Sequence, residues 1–351
     1  MSEKQFMTRM GDGSIVYMTE AEIRADIEEG VQDAVSRGKI DPLTEEEKAH
    51  LYDIITMPGT VVGVEPGCQV VTSNDSGAYK INVKSQIPIA KEMETLIYER
   101  CLGCDSVDVG NTDYNYKTVK GVAKREASAL KQALNVCTMP LFYGAMPNLG
   151  FYTKPDGPVD NWAALLPEGK IKESWKAKEE AVDFSVKDIV FAAEHMCAVG
   201  ADGFQLDTSG AAGDADFLVS LKATEIITEK FPDMPVEIGM AGEFVLGMHG
   251  KLKYDGVRLA GLYPHDQVKL AEKAGASIFG AVVNTNCNKT FPWNIARVCT
   301  FIKATTAVAN IPVHANVGMG VCGTPMVEVM PSDVLSRADK ALVEIGKIDG
   351  F

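Results

Sequence analysis

The feature that most constrains the fold is a unit that recurs from about residue 100 onward. Each unit contains an amphipathic helix, a glycine-centred break, a short apolar strand and a polar cluster at the end of that strand. The predicted strands begin near Ser106, Met139, Gly203, Val236, Ser277, Pro312 and Ile348. Their intervals of about 32 to 42 residues fit βα units, apart from one larger gap that holds an insertion, residues 151–180. Strands this apolar, alternating with helices, predict a parallel sheet covered on its faces.

Polar side chains follow the predicted strands at one end of the sheet. They include Asp207, Glu243, Asn284, Asn286 and His314. Active-site residues at the C-terminal ends of many different strands are typical of a (β/α)8 barrel, whereas a doubly wound sheet concentrates its ligands at one switch point. The predicted fold class is therefore α/β, a (β/α)8 TIM barrel. Six of the predicted strands are complete. The last one, at about the seventh position, has barely begun at Ile348, so the barrel is expected to be incomplete at its C-terminus.

The first hundred residues predict a separate extension. Residues 1–100 carry helical and hairpin patterns, and the barrel is expected to occupy residues 101–351. Thr19 and Glu22 form a capping box at the start of one predicted helix, and Thr44 caps a second. Such an extension is expected to cover part of the larger domain.

The same extension contains a predicted β-hairpin. Residues 60–71 and 78–83 alternate in polarity and are rich in β-branched residues. Between them, residues 73–77 read Ser-Asn-Asp-Ser-Gly, which is typical of a turn.

Composition bounds the class of protein. The chain of 351 residues is 46% hydrophobic and 23% charged, which is ordinary for a globular protein. Its net charge of −14 argues against nucleic acid or an anionic membrane as partner, and suits a neutral or cationic substrate. The N-terminus shows no signal peptide, and no window approaches the roughly 18 apolar residues of a membrane helix. We therefore expect a cytoplasmic protein with its eight cysteines reduced.

Three motifs are interpreted as structural. Cys101 and Cys104 form a CxxC that closes a predicted helix, the wrong context for a redox pair, and no second CxxC completes a zinc site. Residues 318–323 match GxGxxG but lack the long helix that a dinucleotide site needs. The five histidines show no metal-binding spacing, so no metal site is predicted.

Two carboxylates at strand ends are candidate functional groups. Glu243 follows small residues that leave room above it, so it could hold an ammonium group or act as general acid or base. A helix cap or a salt bridge is an equally open interpretation of Glu243. Asp207, before Thr208, has the same ambiguity, with N-capping favoured.

The remaining candidates are individually weak. Tyr143 could line a pocket for a small apolar ligand, although a strand-end tyrosine is more often a packed residue. Asn284, Asn286 and His314 would orient a substrate or donate hydrogen bonds. Lys289 is the one lysine considered for Schiff-base chemistry, and a solvated lysine is the commoner outcome.

Several segments together resemble a known family. They are MGDG (10–13), PLFYGAMPN (140–148), DTSGAAGD (207–214), GMAGE (239–243), VLGMHG (245–250), YDGV (254–257) and DGF (349–351). The chain resembles the dimethylamine:corrinoid methyltransferases, which contain pyrrolysine, over essentially its whole length. The CxxC is not part of that family's pattern, which favours packing as its role.

The resemblance implies an activity and partners. Members are (β/α)8 barrels that transfer a methyl group from dimethylamine to the Co(I) corrinoid of a separate protein, in methanogenesis from methylamines. By this resemblance no cofactor is bound directly, the corrinoid (cobalamin-type) belongs to the cognate partner, and a homo-oligomer is expected at full length. The family's catalytic pyrrolysine follows a segment like residues 349–351, where this sequence stops. From their positions at strand ends, and not from the resemblance, Glu243 is expected to supply charge or proton transfer, with Tyr143, Asp207, Asn284, Asn286 and His314 around the substrate.

Three hypotheses stay open on the sequence alone. The first is a methyltransferase read only to its amber codon, so that the 351-residue chain lacks pyrrolysine and is inactive by itself. The second is a barrel lyase or aldolase that uses Lys289. The third is a non-catalytic partial barrel that binds the corrinoid protein. In each case an open barrel would expose strand edges and apolar faces, which predicts poor solubility.

Overall fold

Apolar runs bounded by turn residues form the strands of this protein, and amphipathic runs form its helices. The computed structural model describes residues 3–75, 106–110, 141–247 and 250–351. The strands are β1 (Gln5–Arg9), β2 (Ile15–Thr19), β3 (Thr72–Asp75), β4 (Ser106–Gly110), β5 (Leu141–Ala145), β6 (Gly203–Ser209), β7 (Val236–Met240), β8 (Lys253–Tyr254), β9 (Val257–Arg258), β10 (Ile278–Ala281) and β11 (Val313–Ala315). The helices are α1 (Glu20–Gly38), α2 (Glu45–Thr56), α3 (Trp162–Leu165), α4 (Ile171–Ala198), α5 (Asp214–Lys230), α6 (Pro264–Lys273), α7 (Phe291–Thr306) and α8 (Ser332–Ala341).

Seven strands form one parallel sheet, in the order β11-β10-β7-β6-β5-β4-β3. Successive strand residues alternate between the two faces of a sheet. One set is apolar and fully buried in the main hydrophobic core, for example Phe204, Leu206 and Ile238. The alternate set on β6 and β7 includes Gln205 and Glu237, which pair directly across the two strands. The apolar face is covered by the helices, and the polar face therefore lines the inside of the ring.

The C-terminal residues lie between the two edge strands of this sheet. Gly350 pairs in parallel with His314 of β11 on one side and with Val71, next to β3, on the other. The Phe351 amide donates a hydrogen bond to the Val71 carbonyl at 2.9 Å. Residues 349–351 thus hold the eighth position of a (β/α)8 barrel, confirming the predicted fold class. The barrel is incomplete there as predicted, because isolated bridges to Val71 and His314, rather than a full strand of the sheet, occupy the eighth position.

The prediction of a turn at residues 73–77 is wrong for residues 73–75, the part of it that the structure describes. Thr72–Asp75 forms β3, which pairs in parallel with β4. Its polar residues are typical of a turn, but hydrogen bonds to a neighbouring strand override local preference. β3 belongs to the barrel sheet although it precedes residue 100, and it makes residues 349–351 the eighth strand position rather than the seventh. Residues 78–83 lie outside the described residues, and the division at residue 100 stays a prediction.

The N-terminal helices begin as predicted. Thr19 and Thr44 each accept a hydrogen bond from the backbone amide three residues later, and Glu22 and Glu47 complete the two capping boxes. α1 packs along α7 on the outside of the barrel. At Gly30 a Cβ atom would lie 2.2 Å from the Trp293 carbonyl oxygen, so only glycine allows these helices their close approach.

Replacing Thr19 by alanine is expected to lower the free energy of unfolding by about 1 kcal/mol, because the first turn of α1 loses its side-chain acceptor. Thr19→Ser keeps the hydroxyl and should stay within a few tenths of the wild-type value. Urea unfolding of both variants provides the measurement. Equal losses in the two variants would contradict a capping role for the Thr19 hydroxyl.

The helices of residues 3–75, 141–247 and 250–351 include none that is both long enough and apolar enough to cross a membrane.

Candidate active site

A cluster of polar side chains lies on the inner face of the barrel. Gln205 of β6 donates from Nε2 to Glu237 Oε1 of β7 at 3.0 Å. His314 of β11 places its Nε2 2.5 Å from the same carboxylate oxygen. Three strands therefore converge on one carboxylate, although β11 is separated from β7 by β10.

A glycine on the strand between β7 and β11 allows this convergence. A Cβ atom at Gly280 of β10 would lie 2.7 Å from His314 Nε2, so the glycine clears the path between His314 and Glu237. A Cβ atom at Gly239 would lie 3.4 Å from Asp207 Oδ1, which puts Asp207 beside the same cluster. Glycine in a strand interior often marks such a close approach.

The cluster is buried but reached by solvent. Glu237 is 5% exposed and Gln205 is 7% exposed, while the His314 side chain is 18% exposed. Burial opposes a charged imidazole, but the Glu237 carboxylate outweighs it and, with Asp207, raises the pKa of His314. His314 is therefore held toward its protonated form, so the cluster combines a cationic imidazole with two carboxyl groups.

One acceptor in this cluster has no partner among the described residues. The Gln205 amide nitrogen donates to Glu237, but no described residue donates a hydrogen bond to the buried amide oxygen Oε1. Most buried side-chain acceptors are satisfied, and an exception requires an explanation such as a missing ligand or water.

Glu243, the predicted catalytic residue, lies elsewhere and is fully paired. Its two carboxylate oxygens accept from Arg297 Nη1 and Nη2 of α7 at 2.6 and 2.5 Å. Arg297 Nε also contacts Asp33 Oδ2 of α1 at 2.6 Å. This bidentate pair joins the loop after β7 to two helices, the salt-bridge interpretation left open by the sequence. A catalytic role for Glu243 stays a prediction.

The two predicted asparagines serve loop backbones. Asn284 Oδ1 accepts from the Glu243 amide at 3.3 Å, and the Asn284 side chain lies in an exposed position. Asn286, also exposed, accepts from the Asn288 amide, and its carbonyl accepts from Asn294 of α7. Both lie in the loop that follows β10, and their substrate roles stay predictions.

Two candidates remain. Tyr143 lies in β5, opposite Phe204 of β6, and its side chain is outside the described part of the structure. Lys289 forms an ion pair with Glu29 of α1 at 2.7 Å, and this hydrogen bond raises the pKa of Lys289. Such an amine stays protonated, which does not favour Schiff-base chemistry.

The structure therefore brings Asp207 and His314 together and adds two residues that sequence reasoning missed. Gln205 and Glu237 lie within strands rather than at their ends. The alternation of side chains along a strand could have indicated them. Gln205 and Asp207 lie two residues apart on one face of β6, and Glu237 and Gly239 lie two residues apart on one face of β7.

A second group of buried acids lies outside this cluster, at the start of α5. Asp214 and Asp216 are 2% and 1% exposed, and burial raises the pKa of both, that of Asp216 to about 7. Asp214 also lines a cavity of about 210 Å³ with Trp175 and Lys178 of α4. Within the described part of the chain, no three histidine, cysteine, aspartate or glutamate residues converge as a metal ion would require.

Comparison with known proteins gives two findings. The model of the dimethylamine methyltransferase family matches residues 4–351. Among solved structures, the X-ray crystal structure of the YdjI aldolase from Escherichia coli K12 is similar over 80% of this chain and 74% of that chain, with 12% sequence identity and a TM-score of 0.34. A TM-score this low establishes neither fold nor activity.

Proposed function

This chain belongs to the dimethylamine methyltransferase family, and we propose that it transfers a methyl group from dimethylamine to the Co(I) corrinoid of a cognate corrinoid protein, in methanogenesis from methylamines. The observation that carries the proposal is the family match over residues 4–351. The buried polar cluster inside the barrel also supports the proposal, because its chemistry suits the substrate.

The charge of that cluster suits the substrate. An aliphatic amine is strongly basic and is a cation at neutral pH. Glu237 and Asp207 provide negative charge, only partly offset by protonated His314. In a barrel interior of low dielectric, attraction between opposite charges is stronger than in water. The cluster therefore favours a small cation over a neutral or anionic molecule.

The reaction requires one bond to break and one to form. The carbon–nitrogen bond breaks, and its electron pair stays on nitrogen. The methyl carbon forms its new bond with an electron pair from Co(I). Methylamine is the leaving group, and its nitrogen must be protonated when the bond breaks. The strong basicity of the amine makes it a poor leaving group. Residues of this chain contribute by binding and orienting the cation and by holding a proton beside its nitrogen, a role that falls to His314 through its contact with Glu237.

We further infer, from the family resemblance, that pyrrolysine is the electrophile and that its position follows Phe351. Its imine supplies the chemistry that captures an amine nitrogen. The location of residues 349–351 beside His314 supports this assignment, because a residue that continues this strand would lie on the same ring of strands as the cluster. The 351-residue chain by itself is then inactive in methyl transfer.

The partner, assembly and compartment belong to the same proposal. The corrinoid protein is the methyl acceptor, the full-length enzyme forms a homo-oligomer, and the reaction takes place in the cytoplasm. No observation favours a lyase that uses Lys289, since its amine is paired with Glu29 on the outer helices.

The decisive experiment mixes the protein, extended through pyrrolysine, with its corrinoid protein reduced to Co(I). We expect dimethylamine to convert the cobalt spectrum from Co(I) to methyl-Co(III), with methylamine as the product. The 351-residue chain is the matched control and should give no conversion. Conversion with methanol or trimethylamine but not with dimethylamine would overturn the substrate, and conversion by the 351-residue chain would overturn the role of pyrrolysine.

A further inference from the structure

We propose that Gln205 and Glu237 form the dimethylammonium-binding site, with Gln205 Oε1 and the Glu237 carboxylate each accepting one N–H of the bound cation. This inference rests on the proposed function for the identity of the amine. It assigns substrate recognition to two residues inside the strands rather than to the strand-end residues.

The first argument is the unpartnered amide oxygen. Gln205 is 7% exposed, and its orientation is fixed because Nε2 donates to Glu237 Oε1 at 3.0 Å. This leaves Oε1 as a buried acceptor to which no residue in the described part of the chain donates. A ligand that supplies an N–H there would satisfy it, and a carboxylate or phosphate ligand would not.

The second argument is the adjacent charge. Glu237 is 5% exposed and already accepts from Gln205 and His314 at a single oxygen, Oε1. A carboxylate offers about four lone-pair sites over its two oxygens, so it can accept a further donor. The Gln205 amide and the Glu237 carboxylate are hydrogen-bonded neighbours, so one small cation can reach both.

The third argument is the number of donors on the ligand. Dimethylammonium has two N–H groups, which matches one amide oxygen and one carboxylate. Trimethylammonium has one, so it must leave one of the two acceptors without a partner. A site built to hydrogen-bond a ligand N–H rejects an analogue that lacks it, because the buried polar group is then left unpaired.

Comparison with Glu243 favours Glu237 as the carboxylate that binds the cation. Both oxygens of Glu243 are occupied by Arg297, and its side chain is 8% exposed. Glu243 is therefore neutralised by its own bidentate partner. Glu237 has a histidine and an amide as neighbours, and Asp207 close by adds negative charge.

The test measures binding directly, without methyl transfer. Isothermal titration of the purified protein with dimethylammonium and trimethylammonium chloride should show a preference of at least about tenfold for dimethylammonium, the discrimination expected from one hydrogen bond. Gln205→Met is expected to weaken dimethylammonium binding about tenfold and to reduce the preference to near one. Glu237→Gln should weaken both ligands, because it removes the charge that each cation requires.

The matched control is Gln267→Met. Gln267 of α6 is also a buried glutamine whose amide oxygen has no partner among the residues that the structure describes. It lies on a helix outside the sheet, and its Nε2 donates to the carbonyls of Leu262 and Glu243. This variant should retain both affinity and preference, and thermal melts of all variants identify any that fail to fold. Wild-type binding without preference, or a Gln205→Met protein that folds and still prefers dimethylammonium, would overturn the site. Intact preference together with failed methyl transfer to the corrinoid would overturn the proposed function and support the site.

Discussion

Replacing Arg297 by methionine is expected to lower the free energy of unfolding by about 3–5 kcal/mol. Arg297 is the bidentate partner of Glu243, and the two side chains are 6% and 8% exposed. Methionine keeps much of the volume but leaves the Glu243 carboxylate buried without a counter-charge. Desolvation of a carboxylate without compensation is strongly unfavourable. Equilibrium unfolding in urea, followed by circular dichroism, measures the loss.

Arg37→Met provides the matched control. Arg37 also pairs with Asp33, at 3.0 Å, but its side chain is 55% exposed. Exposed pairs contribute about 0–1 kcal/mol, so this variant should remain close to wild type. The double variant Glu243→Gln, Arg297→Met should lose less than the two single losses added together, because the uncompensated charge is then absent. Similar stability of the Arg297→Met and Arg37→Met proteins would show that the buried pair does not hold the barrel to its outer helices.

Asp216 is expected to make the protein less stable as the pH rises from about 4 to about 7. Burial raises its pKa from 3.8 to about 7 in the folded protein. Between these values the folded state keeps the proton and the unfolded state releases it, so raising the pH favours unfolding. Each unit of pKa shift corresponds to about 1.4 kcal/mol, so this group lowers the free energy of unfolding by up to about 4 kcal/mol between pH 4 and pH 7. Above pH 7 it causes no further loss.

The measurement compares wild type with Asp216→Asn by urea unfolding at several pH values. Asparagine can still accept from the Ala212 amide, as the Asp216 carboxylate does at 2.7 Å. The difference in stability between the two proteins should shift in favour of the variant as the pH rises to 7 and then level off. Asp183→Asn removes a charge from an exposed position of α4 and should show no such slope. A pH-independent difference for Asp216→Asn would contradict a raised pKa.

Sequence alone predicted well the elements that local chemistry specifies. The strands predicted to begin at Gly203 and Val236 begin there, since an apolar run after a glycine or proline break has few alternatives. The capping boxes at Thr19 and Thr44 form because both partners lie within one turn. β3 was missed because Thr72–Asp75 has the composition of a turn, and its strand conformation comes from pairing with β4.

The candidate site was only partly predictable for a similar reason. Asp207 and His314 were found from their positions near strand ends. The arrangement around Glu237 depends on β11 reaching across Gly280, a contact between residues far apart in the sequence. Glu243 is also a glutamate, and its place just after a strand made it the easier one to select from the sequence. Its partner Arg297, however, lies on a later helix. Which of two glutamates is neutralised depends on tertiary contacts that no local pattern contains.

The pairing of Gly350 with Val71 has a consequence for how the chain folds. It joins positions separated by nearly the whole barrel, so it is among the longest-range contacts the chain can make. Contacts of this kind form late, because a large loop must first be ordered, and they slow folding. During synthesis the Val71 edge has no neighbour on that side until Gly350 has left the ribosome. A chaperone that shields this edge should therefore raise the yield of folded protein more than one that acts only after release.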